Sequence, residues 1–241
     1  LRKGSVLKVR YLIKFSKGEG IKFISHLDLM RTIQRIIRRS EVPIEYSKGF
    51  NPHMALSLAQ PLSVGVYSDG EYMDIVLTEK MQVDDILARL NEAAPPTIRF
   101  FEATPIEIVE NVKRVPQAMA LLDAGRYIIK LKLVNEEKVE EKMASLLNEN
   151  AWETLKKSKK GEKMADIKPL VKELKYWVKD GELVINALIA TGSRENLSAD
   201  LLARFITSKI ENVNTESIVS VKREEMYVLK DNKYVPLFKA L

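Results

Sequence analysis

No cysteine occurs in the 241 residues. That absence removes disulfides, thiolate nucleophiles, Cys-type zinc sites and cysteine-ligated iron-sulfur clusters at once. Histidine is nearly as scarce: His26 and His53 are the only two. A metal held by both would need carboxylates to complete its shell, and Asp28 is the only one close in sequence, so neither a metal nor a cofactor is expected. The apolar runs are broken by charge well short of the ~20 residues that cross a bilayer. The first residues, Leu1-Arg2-Lys3-Gly4-Ser5, lack the apolar core of a secretory signal. The expectation is a soluble, cytoplasmic protein without membrane contact. Phosphate-binding loops are missing too. Gly18-Glu19-Gly20 has no third glycine in dinucleotide spacing, and neither a Gly-Lys-Ser/Thr element nor a Gly-x-Ser-x-Gly elbow occurs. Glu71 and Asp74, three apart on one strand, point to opposite faces and make a poor acid/base pair.

With 46% hydrophobic and 30% charged residues, the chain can bury one large core or two small ones. Its net charge of +6 is unevenly spread, because residues 1–60 carry twelve Lys and Arg against four Asp and Glu. The basic excess is therefore local to the first quarter, the electrostatic footprint expected for a phosphate-rich or acidic partner.

Periodicity predicts the elements. Leu7 to Phe15 alternates as a half-buried strand, and Leu27 to Ser40 has helical period. Met54 to Ala59 and Glu71 to Leu77 are expected as strands around a turn region ending in Ser68-Asp69-Gly70. Gln82 to Ala94 is a second amphipathic helix, and Thr97 to Ile106 a further strand. The second half repeats this β-α-β-β-α-β order: strand Arg126 to Val134, helix Glu136 to Leu147, strands Leu170 to Val178 and Glu182 to Ala190 around Lys179-Asp180-Gly181, helix Leu197 to Ile206, strand Ile218 to Val228. The expected fold class is α+β, with two tandem ferredoxin-like units on antiparallel sheets. Residues 1–110 form the first domain, 111–125 a linker and 126–241 the second. Lys156-Lys157-Ser158-Lys159-Lys160-Gly161-Glu162-Lys163 is expected as a mobile, solvated loop, with a nucleic-acid contact as the alternative.

Two motifs stand out: Phe23-Ile24-Ser25-His26-Leu27-Asp28 and Tyr46-Ser47-Lys48-Gly49-Phe50-Asn51-Pro52-His53. Between them lies a helix whose N-cap is Ser25, with Asp28 three residues on, a start resembling a capping box. On a helical wheel Leu29, Met30, Ile33, Ile36 and Ile37 gather on one side, and Arg31, Arg35, Arg38 and Arg39 on the other. Guanidinium groups in a row suit a nucleic-acid backbone or an acidic protein surface. Few carboxylates balance them at i, i+4, as a merely solvated helix would often have. His26, at the helix start, is expected half-buried and hydrogen-bonded. The second motif is read as a rigid loop: Gly49 permits a left-handed backbone, Pro52 restricts Asn51, and Lys48 and His53 flank Phe50. An exposed Phe50 would be a platform for a stacked base, and a buried one a loop anchor.

These two motifs, together with Pro61-Leu62-Ser63-Val64-Gly65, Glu71-Tyr72-Met73-Asp74-Ile75 and, more loosely, Asp166-Ile167-Lys168-Pro169-Leu170, resemble the radical-SAM-associated (radical-SAM-linked) family of bacterial proteins, a domain of unknown function. The resemblance covers residues 7 to 110 closely. It implies an accessory or substrate-presenting protein working with a radical SAM enzyme encoded separately, in a setting of RNA metabolism. Any radical chemistry must come from that partner, because this chain lacks the cysteines for the cluster. The expected function is therefore non-catalytic: binding of structured RNA, such as tRNA or rRNA, through Arg31, Arg35, Arg38, Arg39, Lys48, Phe50, Asn51 and His53. One alternative is a metal-independent ribonuclease or RNA-modifying enzyme using His26 or His53 as general acid/base. Another is a module that only docks proteins through the arginine stripe.

Overall fold

The computed structural model describes residues 8–106, 115–158 and 161–241. They form a mixed α+β structure dominated by antiparallel strand pairs, with six α-helices among the described residues. The chain divides into two compact units, Leu1–Leu122 with Met226–Leu241, and Asp123–Glu225. The division thus falls at Asp123 and again at Met226, where the sequence suggests one linker at 111–125. Of the expected linker, residues 111–114 lie outside the described residues.

The first unit opens with β1 (Val9–Lys17), α1 (His26–Arg39), β2 (Leu56–Leu58), β3 (Val66–Leu77), α2 (Val83–Ala93), β4 (Phe100–Ile106) and α3 (Ala118–Leu121). Its strand order is β4-β1-β3, and β2 also pairs with β3. β1 lies antiparallel to β3 from Val9↔Leu77 to Phe15↔Glu71 and antiparallel to β4 from Arg10↔Ile106. Alternation puts Tyr11, Ile13 and Phe15 of β1 in one apolar cluster with Leu29, Ile33, Ile36 and Ile37 of α1 and Ile86 and Leu90 of α2. Leu12, on the opposite face, packs with Tyr72, Ile106, Ala118, Leu122, Met226 and Leu237. The expected half-buried strand is in fact buried on both faces, because the last residues of the chain return to cover the second one. They belong to the end of β10 (Ser220–Lys230) and, beyond it, β11 (Lys233–Pro236) and α6 (Leu237–Ala240).

The first expected turn is also corrected. Ser68-Asp69-Gly70 lies inside β3 at an irregularity, where the register slips by one residue between Phe15↔Glu71 and Lys17↔Ser68. Ser68 Oγ accepts from Gly70 N at 3.1 Å, so this group of turn formers makes a bulge instead of reversing the chain.

In the second unit β5 (Ala124–Lys132), α4 (Val139–Asn148), β6 (Glu153–Ser158), β7 (Gly161–Asp166), β8 (Val171–Lys179), β9 (Glu182–Ala190) and α5 (Ala199–Lys209) precede β10. The strand order is β10-β5-β9-β8, with β5 antiparallel to β9 from Ala124↔Ala190 to Lys132↔Glu182. Asp180 and Gly181 both have positive φ, 53° and 73°, as a two-residue hairpin turn requires. Trp152 stacks on Phe205 at 5.3 Å and its indole donates to Leu146 O at 3.0 Å, tying α4 to α5. The lysine-rich run expected as a loop is mostly strand: β6 and β7 pair only with each other, from Glu153↔Asp166 to Ser158↔Gly161. Its Lys159 and Lys160 lie outside the described residues. Cross-strand hydrogen bonds can form here although the lysine content argues for a solvated coil.

A buried ion pair fastens the second face of the first unit. Asp74 Oδ1 lies 3.4 Å from Arg10 Nε, and Asp74 Oδ2 accepts from Ala118 N at 2.7 Å. Arg10 also donates to the carbonyls of Val115 and Pro116 at 2.8 and 3.0 Å. Residues 115–118 are thereby latched to β1 and β3. Asp74→Ala would leave the Arg10 guanidinium buried without its counter-charge, and a loss of about 3–5 kcal/mol is expected in urea unfolding. Burial pushes the Asp74 carboxyl above its ordinary value of 3.8, against the opposing pull of Ala118 N–H and Arg10. The folded state then binds this proton more readily than the unfolded state, so its contribution declines as pH rises from that value through the raised one. Relative to Asp74→Asn, the wild type is expected to lose stability with rising pH in that window. Parallel denaturation series from mildly acidic to neutral pH measure the difference.

Candidate binding surface

α1 forms where the sequence gives it a start and one apolar side. Ser25 Oγ accepts from Asp28 N at 3.2 Å and donates to the Asp28 carboxylate at 2.7 Å. The Ser25 hydrogen bond and the Arg31 guanidinium, 3.0 Å away, hold the Asp28 carboxyl below its ordinary value. Leu29, Ile33, Ile36 and Ile37 are buried, while Arg31, Arg35, Arg38 and Arg39 are all exposed. The four are not equivalent. Arg31 is engaged by Asp28, and Arg39 donates to Ala93 O at the end of α2 at 2.6 Å. Arg35 and Arg38 make no hydrogen bond or ion pair among the described residues. Beside Arg39 lies an open cleft of about 480 Å³ lined by Ser40, Glu41, Arg89 and Glu92. Its charge is mixed, so it adds nothing to the cationic row.

The second motif projects as a closed loop. Tyr46 pairs with Met54, Ser47 N donates to His53 O at 2.8 Å, and His53 N donates to Ser47 Oγ at 2.9 Å. Gly49 turns the chain at φ 127°, a left-handed conformation natural to glycine. Every residue from Tyr46 to His53 is exposed, and Phe50 reaches 111% relative accessibility. That number settles the alternative left open by the sequence: Phe50 is not an anchor. The side chains of Lys48, Asn51 and His53 around it are exposed and make no hydrogen bond or ion pair among the described residues.

The first motif is organised by a residue that the sequence reading passed over. Lys17 is 1% exposed, and its ammonium donates to Lys22 O, Ile24 O and Val66 O at 3.0, 3.4 and 3.1 Å. With Gly65 N donating to Lys22 O at 2.8 Å, this fixes the entry of α1 against the start of β3. A signal was available: Lys17 continues the Tyr11, Ile13, Phe15 series, where a strand of period two sends its side chain inward. The same convergence leaves Phe23, Leu27 and Val64 more than half exposed, with Lys22 Nζ 5.5 Å from the Phe23 ring centre.

The two histidines do not come together. His26 follows the Ile24 anchor beside Val66, whereas the His53 loop grows from Glu45, whose N donates to Val76 O at 2.8 Å. At ~3.3 Å per residue those anchors lie roughly 30 Å apart along β3. His26 is half-buried, as expected, but the hydrogen bond expected with that burial is not made at its Nδ1, which is shielded from solvent without a partner. Among the described residues no group of three His, Asp or Glu is placed to hold a metal ion, and no helix is long and apolar enough to cross a membrane.

Two antiparallel α+β units, the first displaying an exposed cationic-aromatic loop, define the class. The chain belongs to the family described as "Uncharacterized protein conserved in bacteria (DUF2344)", whose profile matches residues 10–199. No curated protein sequence matches it significantly. Among solved structures, a chain of a Cbf5-Nop10-Gar1 complex is similar at a TM-score of 0.50 and 9% identity, over 90% of this chain and 48% of that one. The protein thus spans about half the length of that relative, and the likeness concerns the fold alone. An unknown protein from Galdieria sulphuraria aligns over 92% of this chain and 99% of its own, at 10% identity and a TM-score of 0.26.

Lys17→Met would take the ammonium from three carbonyls, of which Lys22 O keeps the Gly65 N–H. The expected outcome is a loss of about 2 kcal/mol, with faster amide exchange concentrated at residues 22–29 if the lysine acts by holding the first motif. Hydrogen-exchange mass spectrometry on the whole chain reads that localisation.

Proposed function

We propose that this is a non-catalytic binding protein of the cytoplasm that engages structured RNA through the 47–53 loop and the free arginines of α1, in service of a separately encoded radical SAM enzyme. The observation that carries the RNA reading is the fully exposed Phe50 at the tip of a loop bearing Lys48, Asn51 and His53. An aromatic ring held in water offers a face to a base, and the neighbouring Lys48 ammonium suits an adjacent phosphate. Arg35 and Arg38 offer further exposed cations on α1, whereas Arg31 and Arg39 are partly spent within the protein. We also read both units as ferredoxin-like. The β-α-β-β-α-β succession supports this, as do the strand orders β4-β1-β3, with β2 on β3, and β10-β5-β9-β8. The separation of His26 from His53 argues against a paired acid/base site. The exposed Phe23, Leu27 and Val64 favour a second role for the opposite end of β3, as the docking point for a protein partner.

Fluorescence anisotropy with total tRNA and ribosomal RNA fragments across a salt series tests the RNA reading. Phe50→Ala is expected to weaken binding about tenfold, the ~1.4 kcal/mol typical of one stacked base, with little change in salt slope. Arg35→Ala/Arg38→Ala is expected to make the slope shallower by about two units. Absence of binding by the wild type, or binding indifferent to both variants, would leave protein docking as the function of this surface.

A further inference from the structure

We infer that the β6–β7 ribbon of the second unit is an additional phosphate-binding element for an RNA backbone, an inference that rests on the RNA reading above. In the register of the ribbon, Lys156 stands directly opposite Lys163, so both project from one face, with their Cβ atoms about 5 Å apart. Like charges opposite one another destabilise a strand pair. Among the described residues no carboxylate is paired with either. The Lys156 ammonium donates to a neutral acceptor, Asn196 O, at 2.8 Å, and the adjacent Glu195 carboxylate is committed to Lys172 at 3.2 Å. Lys163 is exposed and makes no hydrogen bond or ion pair among the described residues. Of the acids in the ribbon, Asp166 is occupied at its base, accepting from Trp152 N and Lys168 N at 2.8 and 2.9 Å.

Residues 156–163 hold five lysines against one glutamate, a concentration of charge that a phosphodiester backbone neutralises. The large apolar residues occupy the other face, where Leu155 stands opposite Met164 and both are exposed, and only Ala165 shares the lysine face. The lysine face thus lacks the apolar surround that a protein interface would use at its centre, while lysine, a compact point charge, suits phosphate contacts that carry no sequence information. A ribbon of two six-residue strands is ~20 Å long, a reach that takes in several successive phosphates. Because β6 and β7 pair only with each other, the two lysines can be neutralised without disturbing the larger sheet of the unit.

The test is fluorescence anisotropy of the full chain with a fluorescein-labelled RNA hairpin of twenty base pairs across a salt series. Lys156→Gln/Lys163→Gln is compared with Lys48→Ala/Phe50→Ala. The ribbon variant is expected to bind with a salt slope shallower by about one unit per lysine, while its Tm stays level or rises because the like-charge pair is gone. If the wild type binds and the loop variant weakens binding while the ribbon variant matches the wild type, the ribbon inference is overturned and the RNA reading of the loop stands. If only the ribbon variant loses slope, the ribbon inference stands and the loop assignment fails. A wild type that does not bind the hairpin overturns both.

Discussion

A strand buried on both faces must be covered twice, and the first unit is arranged around that constraint on β1 and β3. Tyr11, Ile13 and Phe15 require the apolar sides of α1 and α2; Leu12 and Tyr72 require a second cover, which α3 and the last residues of the chain provide. The two covers differ in kind. The helical one is mainly an apolar cluster, with Lys17 the buried exception, and the apolar side of α1 that joins it turns the arginines outward. The second includes a charge pair, Arg10 with Asp74, whose hydrogen bonds latch the segment that begins at Val115. A buried pair of this sort adds little to net stability while both partners are present, yet it defines where the covering segment must sit.

The surface of the first unit is divided along β3. At its start, three backbone carbonyls gathered around the Lys17 ammonium hold the first motif in place, and the chain there displays phenylalanine, leucine and valine to water. Near its end hangs the loop that carries Lys48, Phe50, Asn51 and His53. Rigid attachment at one end and an exposed aromatic-cationic loop at the other are different chemical offers. At the first end the exposed side chains are apolar, whereas at the loop those of Lys48, Asn51 and His53 make no hydrogen bond or ion pair among the described residues. In the second unit Trp152 and Phe205 anchor the helices, and the β6–β7 ribbon stands outside the larger sheet.

Elements specified by local chemistry were legible. α1 could be drawn from its Ser25 cap and its run of isoleucines, and the β8–β9 hairpin from Asp180-Gly181, because cap and turn geometry depend on residues within four positions. Ser68-Asp69-Gly70 misled for the same reason: turn formers also make bulges, and a paired strand on the far side decides which. The lysine-rich run misled because charge repulsion argues against ordered structure while register can still pair the backbone. Lys17 carried a readable signal in its phase on β1, but the identity of its acceptors depended on where residues 22, 24 and 66 met. Arg31 and Arg39 looked like Arg35 and Arg38 on the wheel, and only the positions of Asp28 and Ala93 told them apart.

By itself the sequence determined the α+β alternation, the outward side of α1 and the absence of any thiol chemistry, since these follow from residue type and short-range periodicity. Tertiary structure alone decided that Phe50 is in water, that the segments carrying His26 and His53 are anchored at opposite ends of β3, and that the end of the chain returns to the first unit. Each of those outcomes rests on contacts between residues far apart in sequence, whose free energy depends on the packing of the whole unit and leaves no periodic trace in the chain.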